Sequence, residues 1–339
     1  MLILQEMENI RSLVDRVINI QNKTEFAALA MEVFRLQAEH NAVYRQYMHV
    51  LGIKPEALLS LDEIPFLPIQ FFKSQQVLTH LDKDKVEAVF RSSTTTGSVP
   101  SEHPVLSLAL YDKSLMAGFQ LFYGDPREYC FLALLPSYIE RSDSSLVYMV
   151  KELMAASAHP NNGFFLNDLA SLAERLLHNE QAGQKTLLIG VSFALLDFAE
   201  QHPMPLKHTQ IMETGGMKGR RKELLREELH ELLGKAFEMD VIGSEYGMTE
   251  LLSQAYALKQ GAFACPPSMQ VLVRDTQDPF TYLANGKSGG LNIIDLANLY
   301  SCSFIETQDL GRINPNGSFS VLGRFDHSDI RGCNLMAQL

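Results

Sequence analysis

The sequence predicts an α/β fold with a largely parallel sheet, a helical N-terminal region and a small β-rich subdomain. Residues 1–50 have the apolar spacing of amphipathic helices, and from about residue 86 to residue 240 strand-like apolar runs alternate with helical segments. After about residue 262, short β-like runs alternate with glycine turns. These changes of pattern place the divisions at 1–85, 86–322 and 323–339.

Composition and charge exclude several classes of protein. A net charge of −11 over 339 residues argues against nonspecific nucleic-acid binding. We expect no membrane span, because no apolar run is long enough to cross a bilayer, and the first residues do not read as an export signal. Four scattered cysteines without CxxC spacing are typical of a reducing compartment, so the predicted location is cytoplasmic.

The predicted α/β region consists of apolar strands with helices between them. The strands are Val86–Arg91, Tyr129–Leu135, Thr186–Val191 and His208–Glu213, and the helices are Leu106–Phe122, Ser144–Ala158, Asn167–His178, Phe193–Gln201 and Arg220–Lys235. In the last helix five leucines are predicted to face inward: Leu224, Leu225, Leu229, Leu232 and Leu233. Its many charges are interpreted as a solvated face rather than as part of a site.

The segment Asp240–Glu250, DVIGSEYGMTE, is the centre of the functional prediction. An apolar run ends there in a glycine-broken polar loop, and Leu251–Leu258 is predicted to be a helix. Strand, tight loop and helix present backbone N–H groups to an anion. Taken alone, the segment fits better an ordinary connection in which Thr249 caps the helix and Glu250 lies in its first turn.

A second polar segment, Arg91–Pro104, follows the first predicted strand. It is rich in hydroxyl residues, which disfavour a helix interior, and its one glycine, Gly97, allows close approach of a ligand. Such a loop can cradle phosphate groups, but a Ser/Thr-rich surface loop has the same composition. The Gly-Lys-Ser/Thr ending of a Walker A loop is missing.

Three segments together carry a resemblance to a known superfamily. STTTGSVP (Ser93–Pro100), GSEYGMTE (Gly243–Glu250) and TQDLGRINPNGSFSVLGRFDHSDIRG (Thr307–Gly332) resemble the ATP loop, adenine/magnesium loop and hinge region of adenylate-forming enzymes. Within that superfamily the chain is most similar to LuxE-type acyl-protein synthetases, with phenylacetate-CoA ligases next. This closer similarity rests on Ile64–Ser74, Leu132–Val150, Glu213–Arg221 and Arg331–Leu335.

The resemblance implies a role for each matching residue. Those implied to bind ATP are Ser93, Thr95, Thr96 and Gly97 at the phosphates, Gly215, Gly216, Ser244, Glu245, Tyr246 and Gly247 beside adenine, Asp309 at the ribose and Arg324 on the hinge side. Thr249 would contact the α-phosphate, and Glu250 would hold Mg²⁺. Asp309 before Leu-Gly is also an ordinary turn residue, but the following GRI…GRFD favours the functional interpretation.

The resemblance also predicts what lies at the C-terminal end. Adenylate-forming enzymes usually continue into a mobile domain that carries a lysine, and we expect this chain to lack it, because only a hinge remnant and short tail follow residue 322. Cys333 matches the cysteine that LuxE-type proteins use as acyl acceptor, and Arg331 and His327 would favour its thiolate. A tail cysteine without a role is the alternative. The other three cysteines are predicted to be inert core residues.

The predicted function is therefore ATP- and Mg²⁺-dependent activation of a carboxylic acid, in particular a fatty acid, to an acyl-adenylate. Acyl transfer to Cys333 would follow, and the acyl group would pass to a partner such as an acyl reductase. Two alternatives stay open: a ligase that transfers the acyl group directly to CoA or a carrier protein, and a non-catalytic protein that binds nucleotide or acyl-adenylate.

Overall fold

The computed structural model describes residues 2–79, 86–93, 99–136, 139–215, 224–259 and 261–325, with side chains from residue 10 onward. Its helices are α1 (Leu2–Ile18), α2 (Lys23–His40), α3 (Ala42–Val50), α4 (Phe71–Ser74), α5 (Leu108–Tyr123), α6 (Ser145–Ser157), α7 (Leu169–Gln181), α8 (Ser192–Gln201) and α9 (Arg226–Phe237). Within the described residues, no helix is both long and apolar enough to cross a membrane.

The strands divide among a large sheet, a hairpin and a β-rich sheet. They are β1 (Leu67–Pro68), β2 (Ala88–Arg91), β3 (Glu102–Val105), β4 (Cys130–Leu134), β5 (Gly163–Phe164), β6 (Thr186–Val191), β7 (Thr209–Thr214), β8 (Gly243–Tyr246), β9 (Ala255–Ala257), β10 (Met269–Arg274), β11 (Ser288–Asp295), β12 (Phe304–Ile313) and β13 (Phe319–Arg324).

The large sheet has the strand order β5-β4-β6-β7-β8-β9. Its strands pair in parallel except for β8 and β9, which are antiparallel. The inner strands β4 and β6 are buried along their whole length, as their unbroken apolar sequences predict for strands covered on both faces. This sheet, with the helices around it, confirms the predicted α/β fold.

The β-rich sheet has the order β1-β12-β11-β10, and β13 adds to β12. It packs against the N-terminal helices, so the beginning of the described chain and its last strands share one hydrophobic core. A second core lies around the large sheet and helices α5 to α9. The β2–β3 hairpin lies before α5, and β3 occupies part of the segment that was predicted to be a loop.

The inward face of α9 is narrower than predicted. Leu229 and Leu233 are buried, as expected for residues spaced one turn apart, but Leu225 and Leu232 are exposed. Leu225 is the N-cap residue, so it precedes the first helical turn and is not bound by the helical periodicity.

Candidate functional site

The candidate site lies at the carboxyl ends of β7 and β8, where ligands bind in open α/β sheets. Gly215 directly follows β7 and has a φ of +69°, a conformation that glycine adopts without strain. The buried Ser192 hydroxyl, at the start of α8, lies 3.0 Å from the Gly215 carbonyl oxygen. The predicted adenine-side residues Gly215, Ser244 and Tyr246 therefore come from adjacent strands.

Tyr246 and Asp309 connect the large sheet to the β-rich sheet. The Tyr246 hydroxyl donates to Asp309 Oδ2 at 2.8 Å, and Arg324 Nε donates to Asp309 Oδ1 at 3.0 Å. Asp309 lies inside β12 and is buried, so it is not the turn residue of the alternative interpretation. Burial and then the charge of Asp309 raise the pKa of Tyr246 well above its usual value, so its phenol is a hydrogen-bond donor at neutral pH.

The loop after β8 corrects the prediction of a helix over Leu251–Leu258. The residues form bends and then β9, which pairs with β8. The buried Asp295 carboxylate accepts hydrogen bonds from Leu252 N at 2.8 Å and Ser253 N at 2.9 Å. These amides are thus bonded to a distant side chain, and Thr249 is not a helix cap.

Glu250 is buried beside the hairpin that leaves the candidate phosphate loop. Burial raises the pKa of its carboxyl, and a hydrogen bond from the Ser101 side chain opposes that rise. The main-chain carbonyl of Thr249 accepts a hydrogen bond of 2.8 Å from His103 Nδ1 on β3. Burial also lowers the pKa of His103 to about 4, so this ring is neutral at physiological pH.

The donor set around Glu250 fits magnesium held together with a nucleotide. Among the described residues, no group of three or more histidine, cysteine, aspartate or glutamate side chains could hold a metal ion. Magnesium, however, commonly binds through one or two carboxylates plus substrate phosphates. Glu250 forms no ion pair with another described residue, so its carboxylate is available for such a cation.

A polar cluster around Glu213 was not predicted. Arg226 Nε donates to Glu213 Oε1 at 2.9 Å, and His230 Nε2 lies 3.7 Å from the same oxygen and 3.3 Å from Ser244 Oγ. The interpretation of the α9 charges as a solvated face is therefore wrong for Arg226 and His230. The available signal was an acidic residue at the end of an otherwise uncharged strand, which requires a partner when buried.

A cleft of about 290 Å³ lies along α9 beside this cluster. Its lining includes Arg226 and His230 from α9, Ile242 before β8, and Lys259 and Gly261 after β9. Ile242, Ser244 and Tyr246 alternate along the chain, so their side chains share one face of the strand. The cleft therefore continues the face that carries Ser244 and Tyr246, whereas the predicted adenine-side residue Glu245 lies on the other face of β8.

Comparisons with known proteins give similarities to one family and to several solved structures. Residues 17–116 match the family model described as acyl-protein synthetase, LuxE. ATP-bound MatB from Rhodopseudomonas palustris is similar with a TM-score of 0.55 and 16% identity, over 72% of this chain and 49% of that chain. A 2-hydroxyisobutyryl-CoA ligase in complex with 2-HIB-AMP and CoA is similar with a TM-score of 0.68 and 13% identity, over 91% of this chain and 72% of that chain.

The chain shares the fold of these two ligases over the matched residues. A luciferase-like enzyme from the mealworm Zophobas morio shares it, with a TM-score of 0.54 and 14% identity over 73% of this chain and 59% of that chain. The chain spans about half the length of the MatB structures that it matches. No curated protein sequence matches it at a significant level. The predicted resemblance is thus confirmed for the LuxE segment and for the fold.

Not every predicted residue of the adenylate-forming site can be placed. Ser93 is exposed at the start of the candidate phosphate loop. Thr95, Thr96, Gly97, Gly216 and Cys333 lie outside the described residues. Cys130 and Cys302 are buried, as predicted for core cysteines, and burial raises the pKa of the partly buried Cys265 to about 12.

Proposed function

We propose that the protein activates a carboxylic acid with ATP, forming an acyl-adenylate and pyrophosphate. The observation that carries this proposal is that Gly215, Tyr246 and Asp309 lie at the carboxyl ends of β7 and β8, with Glu250 in the loop that directly follows β8. The LuxE match over residues 17–116 supports an acyl substrate.

The reaction requires positioned donors rather than a protein nucleophile. An oxygen of the substrate carboxylate attacks the α-phosphorus, the bond from that phosphorus to the bridging oxygen breaks, and pyrophosphate leaves with the electron pair. Thr249 would donate to the α-phosphate, and Asp309 would accept from the ribose hydroxyls in exchange for part of its present bonding. Magnesium held by Glu250 would neutralise phosphate charge. Ser93, Thr95, Thr96 and Gly97 would surround the phosphates.

We further propose a fatty acid as substrate and Cys333 as the acyl acceptor. The Cys333 thiolate would attack the acyl carbonyl carbon, a thioester would form, and AMP would leave with the electron pair of the broken mixed-anhydride bond. An acyl-accepting protein such as a reductase would then take the acyl group. This part rests on the similarity of Arg331–Leu335 to LuxE-type proteins.

A ligase that uses CoA directly is the second candidate. One structural neighbour was solved with CoA and an acyl-adenylate and covers 91% of this chain. A requirement for CoA, together with full activity of a Cys333→Ala variant, would favour this function.

Pyrophosphate exchange tests the adenylation step. Purified protein with Mg²⁺ and a suitable carboxylic acid should incorporate labelled pyrophosphate into ATP. Glu250→Gln should lower the exchange rate about 100- to 1,000-fold, because one electrostatic contact in the reacting state is lost. Glu231→Gln, on the exposed face of α9, is the matched control. Equal rates for the two variants would exclude Glu250 from the magnesium site, and no exchange with any acid from acetate to long-chain and aromatic acids would contradict catalysis.

Acyl labelling tests the second step separately. Protein incubated with ATP, Mg²⁺ and a radiolabelled fatty acid should retain label that neutral hydroxylamine releases, as a thioester does. Cys333→Ala should abolish this label and keep pyrophosphate exchange, because adenylation precedes attack by the thiol. Cys265→Ala is the control for a cysteine that burial makes unreactive. A Cys333→Ala protein that labels as strongly as the parent would exclude Cys333 as acceptor.

A further inference from the structure

The main chain of Glu250 is held by a buried asparagine. Asn298 Nδ2 donates to the Glu250 carbonyl oxygen at 2.7 Å and lies 3.3 Å from the Cys302 carbonyl oxygen. Two carbonyl acceptors on one side fix which end of the amide carries the hydrogens. Asn298 is fully buried, and its Oδ1 has no hydrogen-bond partner among the described residues. The Asn298 side chain therefore donates to Glu250, while its own oxygen, Oδ1, accepts no hydrogen bond from the described residues.

The neighbouring Asp295 holds the residues that follow Glu250. Its Oδ2 accepts from the amides of Leu252 and Ser253, and its Oδ1 accepts from Ser253 Oγ at 2.6 Å and Ala297 N at 3.1 Å. Asp295 ends β11, and Asn298 lies one short 3₁₀ turn later. One rigid corner of the β-rich sheet therefore fixes the loop after Glu250 at several points.

That corner is fixed in turn by α2. Gln37 Nε2 donates to the carbonyl oxygens of Asn298 at 3.0 Å and Leu299 at 3.1 Å, and Ser303 N donates to Gln37 Oε1 at 2.9 Å. Gln37 is fully buried and lies in the segment that matches the LuxE family. A continuous path of buried hydrogen bonds therefore runs from α2 through Asn298 to Glu250.

We propose that Asn298 and Gln37 are positioning residues that direct the Glu250 carboxylate toward a magnesium–nucleotide complex, an inference that rests on the proposed function. The Glu250 carboxylate accepts a hydrogen bond from the Ser101 side chain, and its position relative to a bound cation also depends on where the main chain of Glu250 is held. Residues that hydrogen-bond the side chain of a metal ligand typically change metal affinity about 10- to 100-fold when they are replaced, and we expect up to the same change for a residue that holds the main chain of the ligand.

Asn298→Asp is the direct test, because it keeps the shape of the side chain and replaces the donor by an acceptor. Electron paramagnetic resonance measures Mn²⁺ binding to the protein in the presence of a non-hydrolysable ATP analogue. The Mn²⁺ dissociation constant should rise about 10- to 100-fold. Gln37→Glu also removes a donor and should raise the Mn²⁺ dissociation constant by a smaller factor, because Gln37 acts through Asn298.

Asn179→Asp is the matched control. Asn179 is a buried asparagine whose Nδ2 donates to Thr186 Oγ1 at 3.1 Å, far along the chain from the Glu250 loop. It should lose stability without a change in Mn²⁺ affinity. If the Asn298→Asp protein does not fold, Gln37→Glu compared with Asn179→Asp decides the question.

The outcomes separate this inference from the proposed function. Weaker Mn²⁺ binding confined to the Asn298 and Gln37 variants supports their role as positioning residues. Mn²⁺ affinities equal to that of Asn179→Asp overturn this role, even when the parent protein exchanges pyrophosphate. A parent protein that binds the Mn²⁺–nucleotide complex but exchanges no pyrophosphate contradicts the proposed adenylation alone. A parent protein that binds no such complex overturns both.

Discussion

Glu213 and Glu245 lie at the ends of neighbouring strands and are 2% and 7% exposed, but their charges are stabilised very differently. Burial by itself would raise the pKa of Glu213. The neighbouring His230 ring and the charge of Arg226 outweigh that effect, and the pKa of Glu213 is lowered. The glutamate on β7 is therefore a stable carboxylate at the edge of the candidate nucleotide site.

Glu245 lies on the opposite face of the sheet, toward α5. Burial raises its pKa to about 7, and the hydrogen bond from Thr214 only partly opposes this effect. The charge of Glu213 adds a further rise. Among the described residues, no lysine, arginine or histidine lies within ion-pair distance of Glu245. A cationic partner, rather than the extent of burial, therefore decides which of the two acids is fully ionised at neutral pH.

Removing Arg226 should reduce this difference. In Arg226→Met, Glu213 loses its arginine partner, so its pKa should rise toward that of Glu245, while His230 and Ser192 remain beside it. Breaking one partner of a buried ion pair costs about 3–5 kcal/mol of unfolding free energy, because the other charge is left uncompensated. Urea unfolding at pH 7 measures this loss.

A double variant and an exposed pair provide the controls for Arg226. Arg226→Met combined with Glu213→Gln leaves no buried charge, so it should be more stable than Arg226→Met alone. Arg16→Met breaks an exposed ion pair with Glu32 and should have little effect. A loss for Arg226→Met no larger than that for Arg16→Met would contradict the account of Glu213.

Glu245→Gln tests the same comparison at the acid that has no cationic partner among the described residues. The folded-state pKa is raised from 4.5 to about 7, so the contribution of Glu245 to stability is fully present below pH 4.5 and is lost as pH rises through 7. Above pH 8 the ionised side chain should cost roughly 3 kcal/mol. The variant should therefore be more stable than the parent at pH 8 and similar to it at pH 4.

The pH profile of the parent alone cannot test this prediction. Burial lowers the pKa of His103 to about 4, and its contribution to stability has the opposite sign, since it is lost as pH falls from 6.5 through 4. Subtracting the profile of Glu245→Gln from that of the parent removes the His103 contribution common to both. An equal gain at pH 4 and pH 8 would contradict the raised pKa of Glu245.

The sequence predicted the parallel strands well, because their apolar runs are local signals. Thr186–Val191 is a strand with the predicted bounds. The loop after Glu250 could not be predicted in the same way. Leu251–Leu258 has a helix-like composition. The carboxylate that accepts hydrogen bonds from the amides of this segment belongs to Asp295 on β11, which follows β9 and β10 in the sequence. Its conformation is therefore set by tertiary contacts that local propensity cannot show.

In the candidate site, too, local motifs could be predicted and tertiary contacts could not. Short motifs indicated Tyr246, Glu250 and Asp309, and the structure joins Tyr246 to Asp309 by a hydrogen bond. The partners of Glu213 were missed because α9 carries many charges of both signs. A helical pattern does not show which of them faces a buried acid on another element.

Tyr246→Phe tests the same face of the sheet with the smallest expected effect. Phenylalanine keeps the ring contacts with Phe263 and Phe319 but removes the hydroxyl that donates to Asp309 Oδ2. Losing a hydrogen bond to a buried carboxylate should cost about 1.5–3 kcal/mol of unfolding free energy, at the lower end here because Arg324 still donates to the other oxygen.

Tyr123→Phe is the matched control on the Glu245 face. The buried Tyr123 hydroxyl has no partner among the described residues, so its removal should be close to neutral. Equal losses for the two variants in urea unfolding would show that the Tyr246–Asp309 bond adds nothing to the joining of the sheets. A loss confined to Tyr246→Phe would show that the Tyr246 hydroxyl, one of the two donors to Asp309, stabilises the contact between the two sheets.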